Sequence, residues 1–183
     1  MTYVELIVVL GIFSTLAAVV LFKYGDFQNN VDIKNLAGDI ALQIVTAQKV
    51  SLSGLLPQGG APFPTWKPSY GVYFNPANFK QFIYFVDLSN PSNGYNIGEE
   101  LSTVSITKNN SISRIDSYVG SAPTQITNPL SVTFKRPSSG PVFCCSNGIP
   151  LTGFDYVQIT VASQNGVTKA YIKLYPSGRI QIN

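Results

Sequence analysis

The sequence predicts an α+β protein: a long, protruding N-terminal helix over about residues 2–53, whose second half packs on an antiparallel β-sheet domain. Three observations predict it. The chain opens on "MTYVELIVVLGIFSTLAAVVLF", in which Glu5 is the only charged side chain. Apolar residues then recur at three- and four-residue steps up to Ala47, the period of a helix with one face to bury. After Gly54 the chain changes to short alternating runs separated by Gly, Pro and Asn, the pattern of strands and turns. The domain organisation that follows is an apolar helix over 1–25, an amphipathic helix over 26–53 and a β-rich globular part over 54–183.

Within residues 6–22 only Ser14 and Thr15 are polar. With residues 1–4 the low-polarity stretch is about 20 residues, or about 30 Å of helix, enough to cross the hydrocarbon core of a bilayer. A secretory signal would carry a basic segment ahead of its apolar run; here the first cation is Lys23. By the positive-inside rule that single Lys would place the rest of the chain in the cytoplasm. Further on, Val31, Ile33, Leu36, Ala37, Ile40, Ala41, Ile44, Val45 and Ala47 alternate with Asp32, Lys34, Asn35, Asp39, Gln43 and Gln48. Ser53-Gly54 predicts the stop, and Pro57 forbids further helix. A helix of that extent is about 75–80 Å long. A domain of 183 residues cannot cover it, so the first half must protrude.

The segment "GLLPQGGAPFPTWKPSYG" is a loop by its Pro and Gly content. Strands are expected over 70–74, 81–87, 101–107, 112–119, 130–136, 156–163 and 168–175, with a short tail over 179–182. Alternation is clearest at Val157, Ile159, Val161 and at Ala170, Ile172, Leu174. Asn165-Gly166 between them is a hairpin signal, so the last third reads as an antiparallel meander. Most of the 10 Tyr and 11 Phe should be core or cross-strand residues.

Composition narrows the function classes. The net charge of +3 is too mild to imply a nucleic-acid partner. Lys135, Arg136, Lys169, Lys173 and Arg179 would attract DNA or an acidic host surface only if they shared one face; as sequence they read as a scattered solubilising set. There is no His, which removes the commonest general base and metal ligand together. No nucleophile–base set, phosphate-cradling Gly loop or metal-ligand cluster is visible, so the chain is expected not to be an enzyme and to need no cofactor. Glu99-Glu100 reads as a solvated turn. The two cysteines are adjacent, Cys144 and Cys145. They read as part of a loop, joined in a vicinal disulfide, reduced as two thiols, or bonded to another chain.

The head of the chain resembles the mature N-terminus of type IV pilins and of the pseudopilins of type II secretion. Met1, Val4, Glu5, Leu6, the Val8-Val9 pair and Leu16-Ala17-Ala18 fit that pattern closely over about 25 residues. The resemblance implies that a prepilin peptidase has removed a leader, that Met1 is the first mature residue and is N-methylated, and that Glu5 and Met1 act in assembly. An ionised carboxylate in hydrocarbon is costly unless paired. The Met1 amine of a neighbouring subunit would neutralise Glu5 in a dry helical bundle; the alternative is a carboxylate reaching back to the headgroups. Small residues Gly11, Ala17 and Ala18 would let helices approach closely. The family usually has Pro at the twenty-second position; here it is Phe22. Helix melting in a filament is therefore expected to be less, or displaced towards Gly25.

The resemblance thus implies a structural subunit, a major pilin, of a type IV pilus-like surface filament that polymerises with itself and sits in the cytoplasmic membrane before assembly, β-domain outside. This outweighs the orientation suggested by Lys23. Fimbrial adhesion, motility, type II secretion and DNA uptake are the roles such filaments serve, with the assembly machinery as partner. The alternatives are a minor pilin or pseudopilin of a secretion or DNA-uptake system, and a membrane-anchored binding module that never polymerises.

Overall fold

The computed structural model describes residues 2–57, 59–60, 66–89, 94–138, 140–145 and 150–183, the side chains of residues 21–23 and 145 excepted. Helix α1 runs unbroken over Tyr3–Ser53, within a residue of the expected span. Its backbone stays helical through Gly11, Phe22 and Gly25. Thr15 Oγ1 donates to Ile12 O at 2.9 Å, so one weak breaker satisfies itself within the helix. Gly54 ends the helix in the left-handed conformation at φ 70°, the usual Gly stop.

One face of the second half of α1 is buried: Ile33, Ala37, Ile40, Ala41, Ile44 and Ala47. Its three fully buried isoleucines alone give roughly 5–9 kcal/mol of gross burial, before ordering entropy is subtracted. The end of the helix is tied down by side chains. Ser51 Oγ donates to Phe134 O at 2.6 Å and Tyr70 OH donates to Leu55 O at 2.6 Å. The Arg136 guanidinium packs against Gly54, where a cation complements the helix's negative end.

The globular part contains two antiparallel sheets around α1 rather than a single one. Strands are β1 (Ser69–Phe74), β2 (Gln81–Asp87), β3 (Glu100–Ser105), β4 (Ser111–Val119), β5 (Ala122–Gln125), β6 (Leu130–Lys135), β7 (Pro141–Cys145), β8 (Tyr156–Ala162), β9 (Lys169–Leu174) and β10 (Ile180–Ile182). The first sheet has the order β3-β2-β1-β6-β7 and the second β10-β9-β8-β4-β5. Helix α1 contacts β1 and β6 of one and β8, β9 and β10 of the other. Both sheets therefore share one core, in which Phe74, Phe82, Phe134, Ile115, Ile159 and Ile172 are fully buried.

The C-terminal meander forms as expected, with Val157, Ile159 and Val161 on its inner face. At its hairpin Gly166 has φ 68°, and Asn165 Oδ1 accepts from Ser163 Oγ at 2.6 Å and from Val167 N–H at 3.1 Å. Two strands were not expected, β5 and β7. Both are edge strands and both contain Pro, which is tolerated there because its missing N–H faces away from the ladder.

In the segment before β3, Tyr95 lies over the outer face of the first sheet. Tyr95 packs on Tyr73 and Phe85, with ring centroids 4.5 and 5.5 Å apart, and its N–H donates to Ser131 Oγ at 3.1 Å. The expectation of a solvated Glu99-Glu100 turn is corrected here. Glu99 is buried because its carboxylate accepts from Leu88 N–H at 2.9 Å and Asn96 N–H at 2.8 Å, closing the loop on itself. Glu100 starts β3 and is exposed. Hydrogen bonds from backbone N–H groups, including that of Gly98, and from Tyr95 hold its carboxyl below the ordinary range.

Candidate assembly face of the N-terminal helix

The first half of α1 has no partner in the chain. Among described side chains between Tyr3 and Val20 only Ala17 is even half-buried, and Phe13 is 70% exposed. This stretch is long and apolar enough to cross a membrane by length and composition. A continuous apolar surface of this size on an otherwise polar domain marks a surface that something else covers.

At its head stands a reciprocal cap. Thr2 is the N-cap, and Glu5 N–H donates to Thr2 Oγ1 at 3.4 Å while Thr2 N–H donates to Glu5 Oε2 at 3.1 Å. Two of the orphan N–H groups of the first turn are satisfied this way. The negative carboxylate also lies at the positive end of the helix dipole. In the single chain, then, Glu5 already has a hydrogen-bonding role. Reasoning from the sequence missed it, although the signal was present: Thr2-x-x-Glu5 ahead of an apolar run is the capping-box pattern. Met1 lies outside the described residues, and with it the amine expected to pair with Glu5 and to carry the methyl group.

Of the three small residues expected at helix contacts, Gly11 and Ala18 are seven apart and share a face, while Ala17 is a step of about 100° away. A Cβ on Gly11 would meet nothing within 4 Å. Its smallness serves no contact among the described residues.

The remaining candidates are scattered. Residues 144 and 145 end strand β7, paired with Ser131 and Leu130, where a loop was expected. Edge pairing with β6 holds this stretch extended. Cys144 is buried, near Gly94 of the covering loop. The side chain of Cys145 lies outside the described residues, and with it the vicinal bond. Of the basic residues, Lys169 and Lys173 lie on β9 and Arg179 just before β10. Lys173 Nζ is 4.9 Å from the Tyr156 ring centre and the Arg179 guanidinium 3.9 Å from that of Tyr175, so both cations are engaged by aromatic faces. Lys135 belongs to the other sheet.

Among the described residues no group of three or more His, Cys, Asp or Glu is placed to hold a metal ion. The arrangement at the helix head can organise charge and register but offers no bond-making chemistry. Compared with known proteins, the chain matches no family model, no curated protein and no solved structure.

Proposed function

We propose that this chain is the structural subunit of a type IV pilus-like filament, a helical homopolymer assembled through α1. The observation that carries the reading is the division of one 51-residue helix into a buried half and a bare apolar half headed by an acid. A membrane would cover the bare half before assembly, and neighbouring copies of the same helix after it. Both are apolar surroundings, so transfer between them costs little hydrophobic free energy. What distinguishes them is Glu5. In lipid its carboxylate would be capped by Thr2; in a bundle the Met1 amine of a neighbour would add an opposite charge. Such a pair sets register more than it adds net stability. The β-domain, rich in Tyr, Ser, Thr and Asn, would form the outer surface.

The test is to shear filaments from the cells that make this chain and measure the intact mass of their main protein. The expected result is this chain, carrying one added methyl group at Met1. Filaments built mainly of another chain would overturn the reading, and a trace amount of this chain in them would point to a minor subunit. Recovery only in the membrane fraction, with no filament, would point to an anchored binding module.

A further inference from the structure

A tight turn over residues 107–110 joins β3 to β4, closed by Asn110 N–H donating to Thr107 O at 3.2 Å. Its two central residues, Lys108 and Asn109, both have φ 57°, as a turn of the primed type requires. The turn stands at the rim of a cleft of about 190 Å³ between α1 and the β3–β4 region. Three consecutive side chains go three ways. Lys108 Nζ reaches Asp32 Oδ1 on α1 at 2.7 Å. Asn110 is 6% exposed and lines the cleft. Asn109 does not line it and is exposed, so its carboxamide stands at the apex of the turn, open to solvent.

Asn109 also heads a sequon. Of the 14 Asn in the chain, two have Ser or Thr two places on, Asn90 and Asn109. Pro91 follows Asn90 and disqualifies it, whereas Asn109-Asn110-Ser111 is intact. The left-handed turn favours Asn at 109, but it makes no demand on residue 111. Ser111 is the first residue of β4, half-buried and paired with Ala162. Only that end of the ladder has to fray for the amide and the hydroxyl to be read together.

Position supplies the second argument. The Lys108 ion pair ties the turn to Asp32, ten residues beyond Phe22 at the end of the apolar run, or about 15 Å of helix. With that run in a bilayer, Asn109 stands at the base of the domain, near the surface where a lipid-borne group is delivered. We propose that Asn109 is an N-glycosylation site whose donor is an oligosaccharide joined through pyrophosphate to a membrane lipid. The Nδ2–C1 bond forms as the bond from C1 to the pyrophosphate oxygen breaks. The electron pair leaves with the lipid pyrophosphate, and one Nδ2 proton is lost to a base of the transferase. The inference rests on the proposed placement of the β-domain outside the membrane. There the glycan would form a hydrophilic collar where the bare helix leaves the domain.

The test is mass spectrometry of the full chain from the cells that make it. Trypsin cuts after Lys108 and Arg114 and releases residues 109–114, "NNSISR". The expected result is a glycan mass on this peptide in most copies. It should be lost in Asn109→Asp, which keeps a side chain suited to the left-handed turn, and in Ser111→Ala, but kept in Ser111→Thr. An unmodified peptide throughout would overturn the proposal, as would a glycan that persists in Asn109→Asp. Filaments of this chain with a bare Asn109 would sink this inference alone, and a glycosylated chain without filaments would sink the filament reading alone. A domain closed to protease added outside the membrane would overturn both.

Discussion

The two roles of Glu5, cap and assembly charge, separate under two substitutions. Glu5→Gln removes the charge but keeps a side-chain acceptor at the third helical position, so the reciprocal cap with Thr2 survives. Thr2→Ala removes the hydroxyl that accepts from Glu5 N–H, keeps the backbone N–H that donates to Glu5 Oε2, and keeps the charge. The cap is made of two exposed hydrogen bonds of 3.1 and 3.4 Å, and loss of the Thr2 hydroxyl should cost about 1 kcal/mol of local helix stability. Loss of one partner from a buried ion pair costs about 3–5 kcal/mol, equivalent to roughly 10²- to 4 × 10³-fold in association at a factor of ten per 1.4 kcal/mol. We therefore expect Glu5→Gln to abolish surface filaments while membrane levels and detergent-phase helicity stay unchanged. Thr2→Ala should fray the first turn and lower filament yield by no more than about tenfold. The assay is filament yield in the sheared fraction against chain level in the membrane, with circular dichroism of the purified protein. Wild-type yield from Glu5→Gln would refute the charge-pairing reasoning, and Glu5 would then be a cap alone.

Three further outcomes follow from the fold. Ile40→Ala, at a fully buried position of α1, should destabilise the folded part by about 2–5 kcal/mol, whereas Leu42→Ala, 63% exposed, should change it by less than about 0.5 kcal/mol; equal shifts in chemical denaturation would contradict the burial. Gly71→Ala places a Cβ 2.6 Å from Val132 O and 2.8 Å from the Phe85 ring, so it should cost about 1–3 kcal/mol, read in the same denaturation assay; an unchanged midpoint would refute the close approach. Burial, with the nearby Tyr70, pushes the Tyr84 phenol up to about 12. A raised folded value means its contribution is intact below pH 10 and is lost as pH climbs towards 12. Ultraviolet titration should show a late phenolate component that shrinks in Tyr84→Phe, and a Tyr84 component near pH 10 would contradict the placement.

Helix α1 was legible because its signals are local. Three- and four-residue spacing, a Gly stop and a Pro beyond it act within a few residues of each other. The central strands were legible for the same reason, since Val157, Ile159 and Val161 alternate without interruption. Strands β5 and β7 were not. An edge strand is held by its neighbour's hydrogen bonds, and "APTQ" or "PVFCC" carries no clear apolar alternation of its own. Glu99 was misread for a related reason. An acid beside Gly in a loop looks solvated until one sees that the loop folds back and presents its own N–H groups to the carboxylate. At the helix head the error ran the other way. The Thr2–Glu5 cap is written in four consecutive residues, but a charge beside hydrocarbon is the more prominent property of Glu5.

The sequence by itself determined that a single helix must carry two unlike surfaces, because an all-round apolar segment and an amphipathic one follow each other without a breaker. It also determined that a β-rich domain would cover only the second. Tertiary structure decided how that cover is built. Two sheets share the buried face of α1 between them, and this depends on strand order, which long-range pairing sets and no local pattern encodes. Tertiary structure also decided that Asp32, 76 residues before Lys108, would be its ion partner at the rim of a cleft. Such a juxtaposition exists only once the β3–β4 turn has docked on the helix.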